Sequence, residues 1–396
     1  MRAPRKSLWL LTPLSLAAFP SLAHAQADVR LSADTSANIG YSANPFSEPA
    51  TDTGSGFAQI QATPQVKLVD AHSTFTLSGH AQYERYFRRY GDSFDYGAGL
   101  DYRGTPGEHV NTHLNFRYDS TIIGSNDLVS GVVDTTLPQE PVLTGTDISL
   151  FGTRDRRRSL RGSGDVSFLL SARDSIAASA YYIQSRYKQF GVLGNNDGYG
   201  GSAGYSRQVS EHLQLGAQGS VARYDYTGLV GDSTVYSAQV AFSATLGSHW
   251  KANGAIGASF MNPSTGGTST ALSGNLRLCR DTTRSSFCLT ALRAVLPTGI
   301  TGTQNETSVG ATYSYKVSER GSVFSAVDYT RNGNSQLGFA TRNEYLRSSL
   351  GYDHLLRERV HVIMSGQYRK IYGGVVARGA DYGGQLGIAV RLGDRR

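Results

Sequence analysis

From Val29 onward the chain alternates residue by residue. Val29, Leu31, Ala33, Thr35, Ala37, Ile39 and Tyr41 share one parity, and Arg30, Ser32, Asp34, Ser36, Asn38 and Ser42 share the other. A period of two predicts an extended strand with one apolar and one polar face. The run is about thirteen residues long, whereas soluble strands usually take five or six and a membrane-crossing strand needs about nine to eleven. Length and pattern together predict a strand that spans a membrane. The pattern recurs in Ala58, Ile60, Ala62, Val66 and Leu68, in Phe94, Tyr96, Ala98, Leu100 and Tyr102, and in Tyr236, Ala238, Val240 and Phe242. It closes the chain in Tyr382, Leu386, Ile388, Val390 and Leu392. All such segments together predict about 18 strands, in a range of about 16 to 18, with even numbers expected of single-chain bacterial barrels. Alternation is least regular over 176–187 and 342–355.

The connectors carry a second rhythm. Those near 69–72, 104–109, 171–174, 209–211, 247–248, 281–284, 318–319 and 356–358 are short, and those between are mostly longer. Outer-membrane barrels have short periplasmic turns and longer extracellular loops, so the predicted fold is all-β, a transmembrane up-and-down antiparallel barrel. The longest connector, about 120–157, holds Pro138 and Pro141. It exceeds an ordinary connection and is expected either to fold over or into the barrel mouth or to stand as an outward flap.

Composition agrees. Forty-six glycines, 23 tyrosines and 15 phenylalanines against three methionines suit strands better than helix bundles. Mean hydropathy is −0.30, which an alternating chain reaches while presenting a fully apolar face. At the N-terminus Arg2, Arg5 and Lys6 precede an apolar run from Leu8 to Leu22 and a small-x-small site at Ala23-His24-Ala25. This predicts a signal peptide over 1–25 and a mature barrel over 26–396. Its removal lowers the formal charge from +7 to +4, since it carries three basic residues and no acid. So mild a balance gives no reason to expect a nucleic-acid partner.

Asn44-Pro45-Phe46 follows the first strand and Thr63-Pro64-Gln65-Val66 lies in the second. With the late series Leu278-Cys279-Arg280-Asp281-Thr282-Thr283-Arg284-Ser285-Ser286 and Tyr315-Lys316-Val317-Ser318-Glu319-Arg320, these residues resemble the bacterial beta-barrel porin-2 family over nearly the whole mature chain. That family of outer-membrane barrels includes proteins from exopolysaccharide operons. The resemblance implies a similar strand number, an outer-membrane location among lipid and lipopolysaccharide, a polysaccharide substrate and a periplasmic polysaccharide-export protein as partner. The last strand departs from the aromatic ending that the assembly machinery reads in such barrels: it stops at Leu392.

The parity opposite the apolar one is expected to line a lumen. It offers Gln59, Gln61, Gln65 and Lys67; His80 and Gln82; Asn111, His113, Asn115 and Arg117; Lys251 and Asn253; Arg277; Gln367 and Arg369; and Gln385. An amide-rich wall with scattered charges exchanges hydrogen bonds with a hydroxylated or mildly anionic polymer without gripping it; equally, such groups satisfy one another inside a filled barrel. At about 16 to 18 strands side chains no longer fill the interior, which favours passage. Three functional readings follow: a conduit for exopolysaccharide export, a general or sugar-selective diffusion porin for uptake, and, third, a barrel enzyme.

Cys279 and Cys288 flank a short turn, and a register that pairs them predicts a disulfide in an oxidising compartment, with free thiols the alternative. They lack the spacing of a metal set. The nine histidines are scattered, and no nucleophile or cofactor motif accompanies them, so neither catalysis nor a cofactor is expected. Gly198-Tyr199-Gly200 continues in strand alternation and reads as strand glycine. The basic run Arg154, Arg156, Arg157, Arg158 suits acidic lipopolysaccharide, an acidic polymer, or a solvated or lipid-facing rim.

Overall fold

The computed structural model describes residues 28–124, 148–188, 194–227, 231–264, 267–299, 302–335, 343–373 and 377–393. The segment read as a signal peptide and residues 125–147 of the long connector lie outside the described residues. Eighteen strands follow in chain order: β1 (Asp28–Ser42), β2 (Ser55–Val69), β3 (Ser73–Tyr86), β4 (Asp92–Gly107), β5 (Val110–Ile122), β6 (Arg156–Leu169), β7 (Asp174–Tyr187), β8 (Asn196–Ser210) and β9 (Leu213–Tyr226). They continue with β10 (Ser233–Leu246), β11 (Trp250–Pro263), β12 (Ser269–Asp281), β13 (Ser285–Thr298), β14 (Gly302–Lys316), β15 (Gly321–Ser335), β16 (Asn343–Arg357), β17 (Val360–Gly373) and β18 (Asp381–Gly393). Each pairs antiparallel with the next, and β18 pairs with β1, so the sheet closes on itself. Closure is what lipid demands, because an open edge would leave backbone donors and acceptors unsatisfied in hydrocarbon.

Strands run from 13 to 16 residues, about 43–53 Å at 3.3 Å per residue. Tilted by about 40°, they stand about 33–40 Å tall, more than the apolar band of about 25 Å that such barrels present. Ile39, Ile60, Val240 and Leu350 point outward, each 60% exposed or more, a belt that a bilayer covers. Tyr96, Tyr182, Tyr199 and Tyr236 lie outward toward one rim, and Tyr205, Trp250, Tyr313 and Tyr315 toward the other, the two aromatic girdles of a membrane interface. The molecule is an integral outer-membrane β-barrel.

The rim that carries Asp28 and Gly393 has the short turns and is therefore periplasmic. One of them holds Gly247 at φ +66°, a left-handed conformation that a Cβ would strain. The turn expected at 104–109 is shorter than its sequence suggests: β4 continues to Gly107 through a bulge between Gly104 and Gly107. Pro64, which has no N–H to donate, interrupts the β2–β3 ladder, whose register pairs resume at Gln65–Ser78 after Ala62–Ala81. The two poorly alternating segments are ordinary strands, β7 and β16. Their pattern is blurred because Tyr181, Ile183 and Tyr345, although apolar, stand on the inward face.

Candidate transport lumen

Register fixes which side chains face inward, since cross-strand partners share a face. Every sequence-predicted lumen residue is on that face: Gln59, Gln61, Gln65 and Lys67 on β2, His80 and Gln82 on β3, Asn111, His113, Asn115 and Arg117 on β5. The same holds for Lys251 and Asn253 on β11, Arg277 on β12, Gln367 and Arg369 on β17, and Gln385 on β18. They are not equally open, however. Gln59, Gln367, Arg369 and Gln385 are buried in the wall's own contacts, whereas Asn111, Arg117, Lys251 and Asn253 are exposed to the interior.

The wall is chemically divided. Inward positions of β7, β8, β9 and β10 among the described residues carry serine, threonine, glycine, alanine, glutamine, asparagine, tyrosine and a few aliphatic side chains but no charge. Glycines 198 and 200 form a trough in which Tyr181 and Tyr224 meet from the flanking strands, hydroxyl to hydroxyl at 3.3 Å. A Cβ on Gly200 would stand 2.9 Å from the Tyr181 ring, and one on Gly198 2.7 Å from that of Tyr224.

The charged side runs from β11, with Lys251 and then Arg277 on β12, through β18 and β1 to β6. His113 bridges two carboxylates, its Nε2 2.7 Å from Asp101 and its Nδ1 3.0 Å from Asp165. His361 lies 2.8 Å from Asp353, and His80 lies 3.7 Å from Asp119. On the seam between the two halves, Arg117 stands directly opposite Arg161, with Arg157 farther along the same face of β6. Arg117 donates to Asp119 at 2.8 Å. Arg157 and Arg161 have no hydrogen-bond or ion-pair partner among the described residues, and Arg161 is exposed to the interior. Guanidinium groups held together with so little counter-charge favour an anion between them.

The extracellular mouth is not open across its width. The Ile148–Leu150 3₁₀ turn at the end of the long connector packs with Phe151 against Ile123 just beyond β5, Tyr345 of β16 and Ile371 of β17; β17 lies six strands from β5 round the wall. Of the two sequence expectations for this connector, the described part takes the inward one. Gly194 ahead of β8 donates to the Gly299 carbonyl ahead of β14 at 2.8 Å, a second bridge. The β1–β2 connection also folds in. Phe46 packs with Phe57, Tyr86 and Tyr90, Asp381 accepts from Ser42 Oγ and the Asn44 N–H, and Arg369 donates to the Pro45 carbonyl. The Asn-Pro-Phe motif is thus a latch between β1 and β17.

The basic run divides by parity. Arg154 lies inside, 5.0 Å from both the Phe46 and Tyr90 ring centroids, and donates to the Tyr90 carbonyl at 2.9 Å. Arg157 faces inward, while Arg156 and Arg158 have the outward parity. Burial, with Glu48 nearby, pushes the Tyr90 phenol up to about 12; its hydroxyl donates to the Thr53 carbonyl at 2.8 Å. Cys279 and Cys288 are direct register partners joined by a disulfide on the inward face. The mouth residues Phe57, Ile148, Leu150, Phe151, Tyr345 and Ile371 were not singled out by sequence. Their one signal is an apolar side chain on an inward parity, visible at Phe57, Tyr345 and Ile371.

No family model and no curated protein matches the chain. Among solved structures it is similar to OccK2 of Pseudomonas aeruginosa, at 11% identity over 92% of this chain and 98% of that one, TM-score 0.47. It is likewise similar to a BenF-like porin of Pseudomonas fluorescens Pf-5, at 8% identity over 93% and 99%, TM-score 0.49. A third, OccAB4 of Acinetobacter baumannii, matches at 11% identity over 93% and 99%, TM-score 0.44.

Proposed function

We propose that the barrel is a passive diffusion channel for small hydrophilic solutes, with a preference for those that carry an anionic group. The observation that carries the reading is Arg157 and Arg161, without a hydrogen-bond or ion-pair partner among the described residues, beside Arg117 and bordering a neutral hydroxyl and amide wall. An anion gains charge-assisted hydrogen bonds on one side, while the neutral side holds hydroxyl groups weakly enough to let the solute leave. The inward-folded mouth supports a size limit, because the Ile148–Leu150 turn and the Gly194–Gly299 contact both cross it. Direction of flow follows the gradient. Export of a polysaccharide, which the family resemblance implies, would use the same amide-rich lining.

Ion selectivity of the purified barrel in a planar bilayer tests the proposal. Replacing Arg157 and Arg161 by Gln is expected to shift the reversal potential in a salt gradient toward cations. An unchanged reversal potential removes the anion preference. Export is decided separately in a deletion strain: polymer accumulating in the periplasm supports a polysaccharide conduit and overturns the small-solute reading.

A further inference from the structure

The outward face of β6 holds a feature that lumen transport does not use. Arg158 lies between Ser120 of β5 and Arg186 of β7, its two register partners, on the face that carries Leu160 and Tyr118 one rung nearer the membrane centre. Leu160 is 40% exposed in the isolated barrel, and Ser120 pairs on its other side with Tyr96 of the aromatic girdle, so this rung stands at the headgroup level. Arg156 has the same parity, but at the strand end its guanidinium turns back to Ser120 Oγ at 3.1 Å and to the inward-parity Asp95 at 3.5 Å. Arg186 is already neutralised: its Nη2 lies 2.7 Å from Asp197. Arg158, by contrast, is exposed and has no hydrogen-bond or ion-pair partner among the described residues.

A guanidinium without a counter-ion at a membrane boundary, flanked by a second and a third, is poorly placed beside hydrocarbon unless an anion meets it there. The outer leaflet of this membrane consists of a phosphorylated glycolipid, whose phosphates sit at that depth. We propose that Arg158, between the two occupied guanidiniums of Arg156 and Arg186, binds the phosphate of an outer-leaflet lipopolysaccharide headgroup, with the acyl chains lying along the Tyr118–Leu160 surface below. The planar fork of arginine suits a phosphate oxygen pair, and the adjoining apolar rung adds a hydrophobic contribution that a free phosphate ion lacks. The site is separate from the lumen, so it stands or falls independently of the transport reading.

The test measures binding of two lipids to the purified, detergent-solubilised full barrel by native mass spectrometry: lipid A with two phosphates, and the same acylated disaccharide with its phosphates removed. The phosphorylated lipid is expected to bind about tenfold more tightly or better, and the difference is expected to vanish in Arg158→Gln. Arg158→Lys, which keeps the charge but not the fork, is expected to retain part of it. Equal affinity for the two lipids, or an undiminished preference in Arg158→Gln, overturns the proposal. Displacement of the lipid by millimolar inorganic phosphate also overturns it, by assigning the site to the free ion. Unchanged single-channel conductance of both variants serves as the check that the barrel is intact.

Discussion

Arg369 and Asp381, register partners on β17 and β18, form an ion pair that water does not reach. The Arg369 Nη2 donates to Asp381 Oδ2 at 2.8 Å and Nε at 3.0 Å, with side chains 1% and 0% exposed. The same carboxylate accepts from Ser42, Asn44 and Gln367, and the same guanidinium donates to Pro45. One pair therefore ties the first connection to the last strands.

Removing the carboxylate takes from a buried guanidinium the counter-charge that accepts two of its hydrogen bonds, a loss of about 3–5 kcal/mol. Asp381→Asn is therefore expected to release residues 43–54 from the mouth while the closed sheet persists. Limited proteolysis should show new cleavage in that segment, and single-channel conductance should rise. Resistance equal to that of the parent protein would show that the latch is held elsewhere.

The Ile148–Leu150 turn is seated on the wall by apolar contacts, with Tyr345 2% and Ile148 0% exposed. Ile148→Asp sets a carboxylate among Ile123, Phe151, Tyr345 and Ile371, where it has no water and no cation, so the turn should leave the mouth. Conductance is expected to increase, with anion preference retained because Arg117, Arg157 and Arg161 are unaffected. A conductance that stays constant would mean that the narrowest point lies deeper in the barrel.

Cys279 and Cys288 are nine residues apart, so their bond closes a short loop on two strands that the barrel already aligns. In the chain-entropy picture the bond contributes about 2–3 kcal/mol. Replacing both residues by Ser should leave assembly and conductance intact and lower the temperature at which the barrel unfolds on heated gels. In the parent protein neither residue should react with a thiol reagent before reduction.

The Tyr90 phenol has a pKa raised from 10.0 to about 12. Below 10 the ring is neutral whether the latch is closed or open, and the contribution of its hydrogen bond to Thr53 is whole. Between about 10 and 12 the open form ionises first, so the closed form loses stability as pH rises through that window. Tyr90→Phe should lose one phenol titrating late in ultraviolet absorbance, relative to the parent. Identical titration curves above pH 11 would place the ring in water.

Much of the wall was legible because a period of two is imposed by geometry. Once Ile39, Ile60 and Val240 are assigned to lipid, the opposite faces follow, and so do Gln59, His113, Lys251 and Gln385. The mouth was not legible for a related reason. Phe57, Tyr345 and Ile371 sit on inward parities, where an apolar side chain looks like a fault in the alternation, and Ile148 and Leu150 belong to a connector with no period at all. Their meaning depends on contacts between strands remote in sequence, which no local pattern contains. Equally, the split of Arg156 and Arg158 from Arg157 becomes apparent only when the first residue of β6 is known, since shifting that boundary by one exchanges the two faces.

The β1–β18 ladder joins residues far apart in sequence, Thr35 and Val390 among them, 355 positions apart. No other ladder closes so long a segment, so its formation carries the largest loss of chain freedom and little local contact favours it early. The inward positions of β18 lighten the task, because Gly383, Gly387 and Ala389 present almost no side chain to the approaching first strand. The consequence is temporal: this seam is expected to be the last ladder made during insertion. The Asp34–Arg391 pair that spans it at 3.4 Å would then govern how slowly the finished barrel comes apart.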